Sequence, residues 1–247
     1  MCYPPRVSTA TVAPAKARKA RHAALVRVTH WLTAVAFLVL LFTGCEIILT
    51  HPRFYWGETG NVTMKPLFRI PIPSSRDTVP TGYNYVLPDW NGWGRALHFE
   101  AAWLLVFTAL VYGIWGLASG HFRRNLLPEK GDWNFRAFWR DLWKSPRDKT
   151  GSASYNVVQR AVYFGVIFVL FPMVIWTGLA LSPTFNAAFP WFVDVLGGRQ
   201  SARTLHFFIT IALTLFFVVH VTMVALSGFR AKMRGMITGR AEPEEEP

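Results

Sequence analysis

TLHFFITIALTLFFVVHVTMVAL, Thr204 to Leu226, runs 23 residues without an Asp, Glu, Lys or Arg, yet carries two histidines. A helix of about 20 apolar residues crosses the hydrocarbon core of a bilayer, so this stretch reads as a transmembrane span. His206 and His220 lie 14 residues apart. On an ideal helix that spacing falls about 40° short of four full turns and rises about 21 Å. Both imidazoles therefore leave one face at two depths. One metal ion cannot be shared across that rise, whereas two stacked sites can.

Working outward, three more apolar runs reach spanning length. They cover about Trp31 to Thr50 with Glu46 as the one acid, about Leu97 to Ala118 with Glu100, and about Ala161 to Leu181 with Pro172 as an expected kink. Charged residues make up 16% of the 247-residue chain, where an ordinary soluble domain carries about a quarter. The expected fold class is all-α, an integral membrane four-helix bundle. The net charge of +12 does not point to nucleic acid, because the Lys and Arg flank apolar spans and suit anionic headgroups.

Those basic residues also set the orientation. Residues 1–29, the Ser119–Arg160 connection and the tail after Leu226 hold 19 Lys and Arg, against seven in the other two connections. Basic residues collect on the cytoplasmic side, so both termini are expected there. Residues 1–29 form a basic tail without a small-residue cleavage site, and the first span is expected to remain as a signal-anchor. Residues 30–230 form the membrane domain, and 231–247 are expected to be a disordered cytoplasmic tail ending in an acidic run.

Two connections are long. The outer one, about 47–95, mixes six prolines with Phe54, Tyr55, Trp56, Tyr83, Tyr85, Trp90 and Trp93, which suits a folded cap or docking surface. The inner one sets Trp133, Phe135, Phe138, Trp139 and Trp143 among basic residues, the pattern of an amphipathic helix on the cytoplasmic membrane surface. Cys2 and Cys45 are the only cysteines, too few for a covalent haem motif or an iron–sulfur cluster.

An internal echo links the halves of the chain. Thr43-Gly44 precedes Arg95-Ala96-Leu97-His98-Phe99, and Thr177-Gly178 precedes Arg203-Thr204-Leu205-His206-Phe207. The alternating topology pairs histidines by depth: His98 with His206 near the outer surface, His30 with His220 toward the cytoplasm. Two imidazoles from facing helices suit a six-coordinate haem iron held in a bundle. Gly44 and Gly178 would give a flat macrocycle close approach, although small-residue helix packing accounts for them equally. Arg95 and Arg203 could pair with propionates of the outer haem, and Arg27 or Arg160 with those of the inner one. Topology-setting charge is the competing account of these arginines. His22, His51 and His121 read as loop histidines. No carboxylate or cysteine stands at short ligand spacing beside the paired histidines, which disfavours zinc.

The residues from about Arg21 to Arg230 resemble the four-helix di-haem cytochromes b that anchor respiratory enzymes. That family includes the formate dehydrogenase gamma subunit, the nickel–iron hydrogenase b-type cytochrome and the thiosulfate-reductase-type cytochrome b subunit. The resemblance implies two non-covalent, bis-histidine b haems. Tyr155-Asn156-Val157-Val158-Gln159-Arg160 is similar to the family's Tyr-Asn-x-x-Gln-Lys/Arg, which implies quinone-site roles for Asn156 and Gln159. Without the resemblance both would read as interfacial polar residues. His51-Pro52-Arg53-Phe54-Tyr55-Trp56-Gly57 looks closest to the thiosulfate-reductase-type subgroup, which accompanies molybdopterin oxidoreductases. The enlarged outer loop departs from the shorter loops of other members, which weakens the transfer of a hydrogenase or formate dehydrogenase partner to this chain.

The expected function is a bacterial inner-membrane electron-transfer subunit, contacting membrane lipids and linking the quinone pool to a periplasmic, molybdopterin-type oxidoreductase subunit. Two other readings compete: a self-sufficient membrane oxidoreductase acting on a small oxidant or superoxide, and a haemless channel or transporter with histidine-rich helices.

Overall fold

A computed structural model describes residues 23–61, 63–72, 79–80, 86–87, 91–126 and 157–239; the side chains of 79–80, 86–87, Asn91, Asn125 and 157–160 are not described. Four helical spans dominate. The first is α1 (Ala24–Thr50). After the short strands β1 (Arg53–Phe54), β2 (Phe68–Arg69), β3 (Val79–Pro80) and β4 (Val86–Leu87) comes the second span, α2 (Asn91–Ala118), then the short α3 (His121–Asn125). The third span joins α4 (Val157–Gly165), a π-helical turn (Val166–Leu170) and α5 (Phe171–Leu181). Short helices α6 (Pro183–Ala188) and α7 (Trp191–Asp194) lead to the fourth span, α8 (Arg199–Leu226), followed by α9 (Phe229–Thr238).

The kink expected at Pro172 takes the form of that π turn. Proline lacks an N–H, and its ring crowds the carbonyl four residues back, here Phe168. A widened turn just before it relieves the crowding within the apolar run. Threonine hydroxyls within the spans bond back to carbonyls of their own helix. Thr29 donates to Leu25 O, Thr210 to His206 O and Thr214 to Thr210 O, each at 2.8 Å. Large apolar side chains such as Ile114 (68% exposed) and Leu117 (75%) point away from the protein, the surface that acyl chains would cover.

α1 packs chiefly on α2, and α5 on α8, so the bundle is two helix pairs. The connection between α1 and α2 supplies structure that the all-α expectation lacked: two antiparallel two-residue pairings, Arg53–Phe54 with Phe68–Arg69 and Val79–Pro80 with Val86–Leu87. The first pairing stacks Phe54 on Phe68 at 4.6 Å and sets Phe54 4.5 Å from Phe207 on α8. The loop then caps the start of α8. Glu58 Oε2 accepts from Arg199 N, Gly57 O from Gln200 N and Ser201 N, and Tyr55 O from Thr204 Oγ1. The first turn of a helix has no internal acceptors for its N–H groups, and here a distant loop provides them.

The C-terminal expectation needs correction. Residues 231–238, expected to be disordered, belong to α9. Phe229, Met233, Met236 and Ile237 recur at helical spacing, and the helix is tied to α1 by Arg27 Nη1 donating to Ile237 O at 2.8 Å and Trp31 Nε1 to Met236 O at 3.3 Å. The aromatic stretch Trp133–Trp143, Asn156 and the acidic end lie outside the described residues.

Candidate metal centres

At the end of the bundle that carries the long α1–α2 loop, His98 on α2 and His206 on α8 face each other with ring centroids 6.5 Å apart. At the end nearer the termini, His30 on α1 and His220 on α8 stand 6.2 Å apart. The depth pairing read from the sequence is the pairing in space. Two imidazoles on opposite sides of one metal ion, each nitrogen about 2.0 Å from it, would have centroids about 6.3 Å apart. Both pairs match that separation. Among the described residues no group of three or more His, Cys, Asp or Glu could hold a metal ion. The donor sets available are thus two imidazoles each, which suits an ion whose other ligands come from a macrocycle.

The loop-end pair has a supporting structure that repeats in both halves. Thr43 and Thr177 are fully buried. Thr43 Oγ1 donates to Val39 O at 2.8 Å and lies 2.9 Å from His98 Nδ1. Thr177 Oγ1 donates to Met173 O at 2.8 Å and lies 2.9 Å from His206 Nδ1. Each hydroxyl has one hydrogen, and it goes to the helix carbonyl. Each imidazole Nδ1–H must therefore donate to the threonine, which leaves the Nε2 lone pair of both rings for a metal. The Thr-Gly echo in the sequence is the signal of these threonines, whose role appears only once the helices are packed.

The neighbouring glycines separate the two accounts open from the sequence. A Cβ added at Gly44 would meet only His98 Cε1 at 3.7 Å, and one at Gly178 only His206 Cε1 and Nδ1, at 3.4 and 3.9 Å. Tight helix packing thus does not demand glycine at either position. Gly116, where an added Cβ would come 2.3 Å from the Phe122 ring, shows what that demand looks like. Gly44 and Gly178 instead keep side-chain bulk away from the histidine pair, a cradle that suits a flat ring system.

At the other pair, the His220 ring stacks on Phe216 at 5.7 Å, and His30 meets Trp31 edge-on at 5.3 Å. Phe37 and Phe217, 5.5 Å apart, fill the bundle between the two levels. No threonine pairing like that of the loop end is seen among the described contacts.

The arginines divide. Arg203 donates through Nη2 to His51 O and lies over the Phe54 ring at 4.9 Å. Arg95 Nη2 lies 3.4 Å from His51 Nε2. Both therefore meet at His51, and each lies three residues before a histidine of the loop-end pair. Arg27 turns instead to the carbonyl of Ile237 on α9. Gln159 and Arg160 fall in α4 without described side chains.

Paired imidazoles at two depths of a four-span bundle are the arrangement of a membrane cytochrome b. The comparisons agree. The profile of the prokaryotic cytochrome b561 family matches residues 21–239. A chain from Azospira oryzae, named as a candidate protein-methionine-sulfoxide reductase subunit (YedZ1), is 33% identical over 83% of this chain and 90% of its own. A chain from Cupriavidus necator, named as a probable Ni/Fe-hydrogenase B-type cytochrome subunit, is 25% identical over 85% of this chain and 81% of its own. No solved structure matches. The chain belongs to the prokaryotic cytochrome b561 family. It is a multi-pass membrane b-type cytochrome that transfers electrons, and the resemblance read from its sequence holds at the level of the family.

Proposed function

We propose that this chain is a two-haem electron conduit of the bacterial inner membrane, joining the quinone pool to a periplasmic oxidoreductase. The observation that carries the reading is the pair of imidazole separations, 6.5 and 6.2 Å, stacked along one bundle. His98 and His206 would hold the outer haem, and His30 and His220 the inner one. When bound, a b-type haem supplies reversible one-electron transfer at its iron. Thr43 and Thr177 orient the outer ligands, Gly44 and Gly178 leave room beside them, and Arg95 and Arg203 offer positive charge for propionates. Arg27 is engaged by α9, which favours Arg160 as the basic partner of the inner propionates. Asn156 and Gln159 are proposed to line the quinone site.

The excess of basic residues at the termini supports a cytoplasmic terminal end and a periplasmic loop end. The folded loop, with Trp56 60% exposed and Leu67 61% exposed, offers a surface for the partner. Two relatives are named as subunits, one of a methionine-sulfoxide reductase and one of a hydrogenase, which supports a partner of the oxidoreductase class. The loop stretch from His51 to Gly57 favours a molybdopterin-dependent one.

Haem content and a reductive titration of the purified protein test the proposal. Two haems per chain and two resolved b-type components are expected. His220→Ala should lose the inner component and keep most of the outer one. Equal loss of both in folded protein would contradict the assigned pairs.

A further inference from the structure

His51, one residue beyond α1, takes no part in the function described so far. It nonetheless touches both halves of the bundle. Its carbonyl accepts from Arg203 Nη2, and its ring Nε2 lies 3.4 Å from Arg95 Nη2. On the other side of the ring, Nδ1 lies 2.8 Å from Thr50 Oγ1, whose hydrogen goes to Ile47 O at 2.8 Å. Thr50 therefore accepts from His51 Nδ1–H, and Nε2 keeps the lone pair that Arg95 needs. Burial and the two guanidiniums hold the imidazole far below its ordinary value, down to about 4, so the ring remains a neutral acceptor at neutral pH.

The placement of those guanidiniums is regular. Arg95 stands three residues before His98, and Arg203 three before His206. Each arginine thus sits about one helical turn beyond its histidine, on the same helix. Two like charges at matching positions repel, and both side chains are long and floppy. His51, outside either helix, contacts both, while Arg203 also has Gln200 Oε1 at 3.4 Å and the Phe54 ring at 4.9 Å.

We propose that His51 is a positioning residue that holds Arg95 and Arg203 as a paired cationic clamp for carboxylates at the edge of the loop-end histidine pair. The carboxylates are the porphyrin propionates of the outer haem, so the inference rests on the two-haem reading. A fixed guanidinium favours the reduced, less positive iron. Releasing Arg95 should therefore lower the outer reduction potential and leave the inner one alone.

The test is a potentiometric titration of full-length protein in detergent. In His51→Phe, which cannot accept, the reduced-to-oxidised ratio of the outer component at fixed potential should fall about tenfold, equivalent to about 59 mV for one electron. His51→Gln, which restores an acceptor near Nε2, should recover most of the shift. Arg95→Gln should give a similar fall by itself and add little in the His51→Phe background, since partners in one interaction are not additive. An outer potential unchanged in Arg95→Gln, or shifts of the two variants that add in full, would overturn the role of His51. Should His51→Phe fail to accumulate, His51→Leu, which also lacks an acceptor, takes its place, and an outer potential unchanged in it would overturn the role of His51. Wild-type protein with a single haem component would instead overturn the two-haem reading.

Discussion

Replacing Thr177 by valine removes one hydroxyl and changes almost nothing else. The side chain is fully buried, and valine has nearly its shape and branching. Thr177 Oγ1 donates to the helix, to Met173 O at 2.8 Å and more weakly to Val174 O at 3.2 Å, and accepts from His206 Nδ1–H. The helix contact is the first bond, and that to His206 the second. The first bond is dispensable, because that carbonyl already belongs to the helix ladder. The second is not. Its loss removes the side-chain acceptor of the His206 N–H and leaves only the Val174 carbonyl, which costs about 0.5–1.5 kcal/mol and loosens the ring's orientation. Loss of such an orienting partner weakens metal binding by about 10- to 100-fold. Thr177→Val should therefore retain the outer haem about tenfold less firmly under dilution or chelation by apo-protein, with helicity unchanged. Thr177→Ser should behave as wild type, and Thr43→Val should copy Thr177→Val through His98. Haem per chain and the amplitude of the outer component read the effect. Wild-type retention in both valine variants would refute the inference that the threonines fix the tautomer of the ligands.

Gly44→Ala and Gly178→Ala should fold with near-wild-type stability, because the added Cβ meets histidine atoms no closer than 3.4 Å. Haem retention should nonetheless drop several-fold; thermal melting of apo-protein alongside haem titration separates the two effects, and unimpaired haem binding would remove the cradle. Gly239→Ala should loosen α9: Gly239 has φ +77° and an added Cβ would lie 3.0–3.2 Å from the Arg27 guanidinium. A left-handed alanine costs about 1–2 kcal/mol, so limited proteolysis should release the C-terminal segment faster, and an unchanged digestion rate would argue against the latch.

The parts of this molecule that sequence reveals are those set by local repetition. Uninterrupted apolar runs fix the four spans, and the 14-residue interval on α8 fixes two levels of histidine. Alternation of the spans then assigns His98 to His206 and His30 to His220 without coordinates. What escaped depends on contacts between distant segments. The hydroxyl of Thr43 acquires a role only because α1 meets α2 beside His98, and His51 only because a loop brings α2 and α8 to one point. The bond that Arg27 makes is hidden for the same reason. Its partner is the backbone of α9, a helix hidden in the sequence because the acidic run that follows it dominates the tail.

Among the described residues, the contacts seen at the ligand rings differ between the two ends of the bundle. At the loop end each ligand ring is bonded on Nδ1, the helix bearing His206 has its first turn capped by Gly57 and Glu58, and His51 joins the two arginines. At the terminal end the rings are held by aromatic contacts with Phe216 and Trp31, under a short helix tied down by Arg27. Preorganised ligands need little rearrangement when charge arrives. A site that must serve a protein docked from outside cannot rely on that partner to order it, and hydrogen bonds from its own chain do so instead. A site exchanging with a small, diffusing carrier gains from neighbours that can give way. On the proposed reading, the hydrogen-bonded end would meet the partner protein and the end with aromatic contacts would meet quinone.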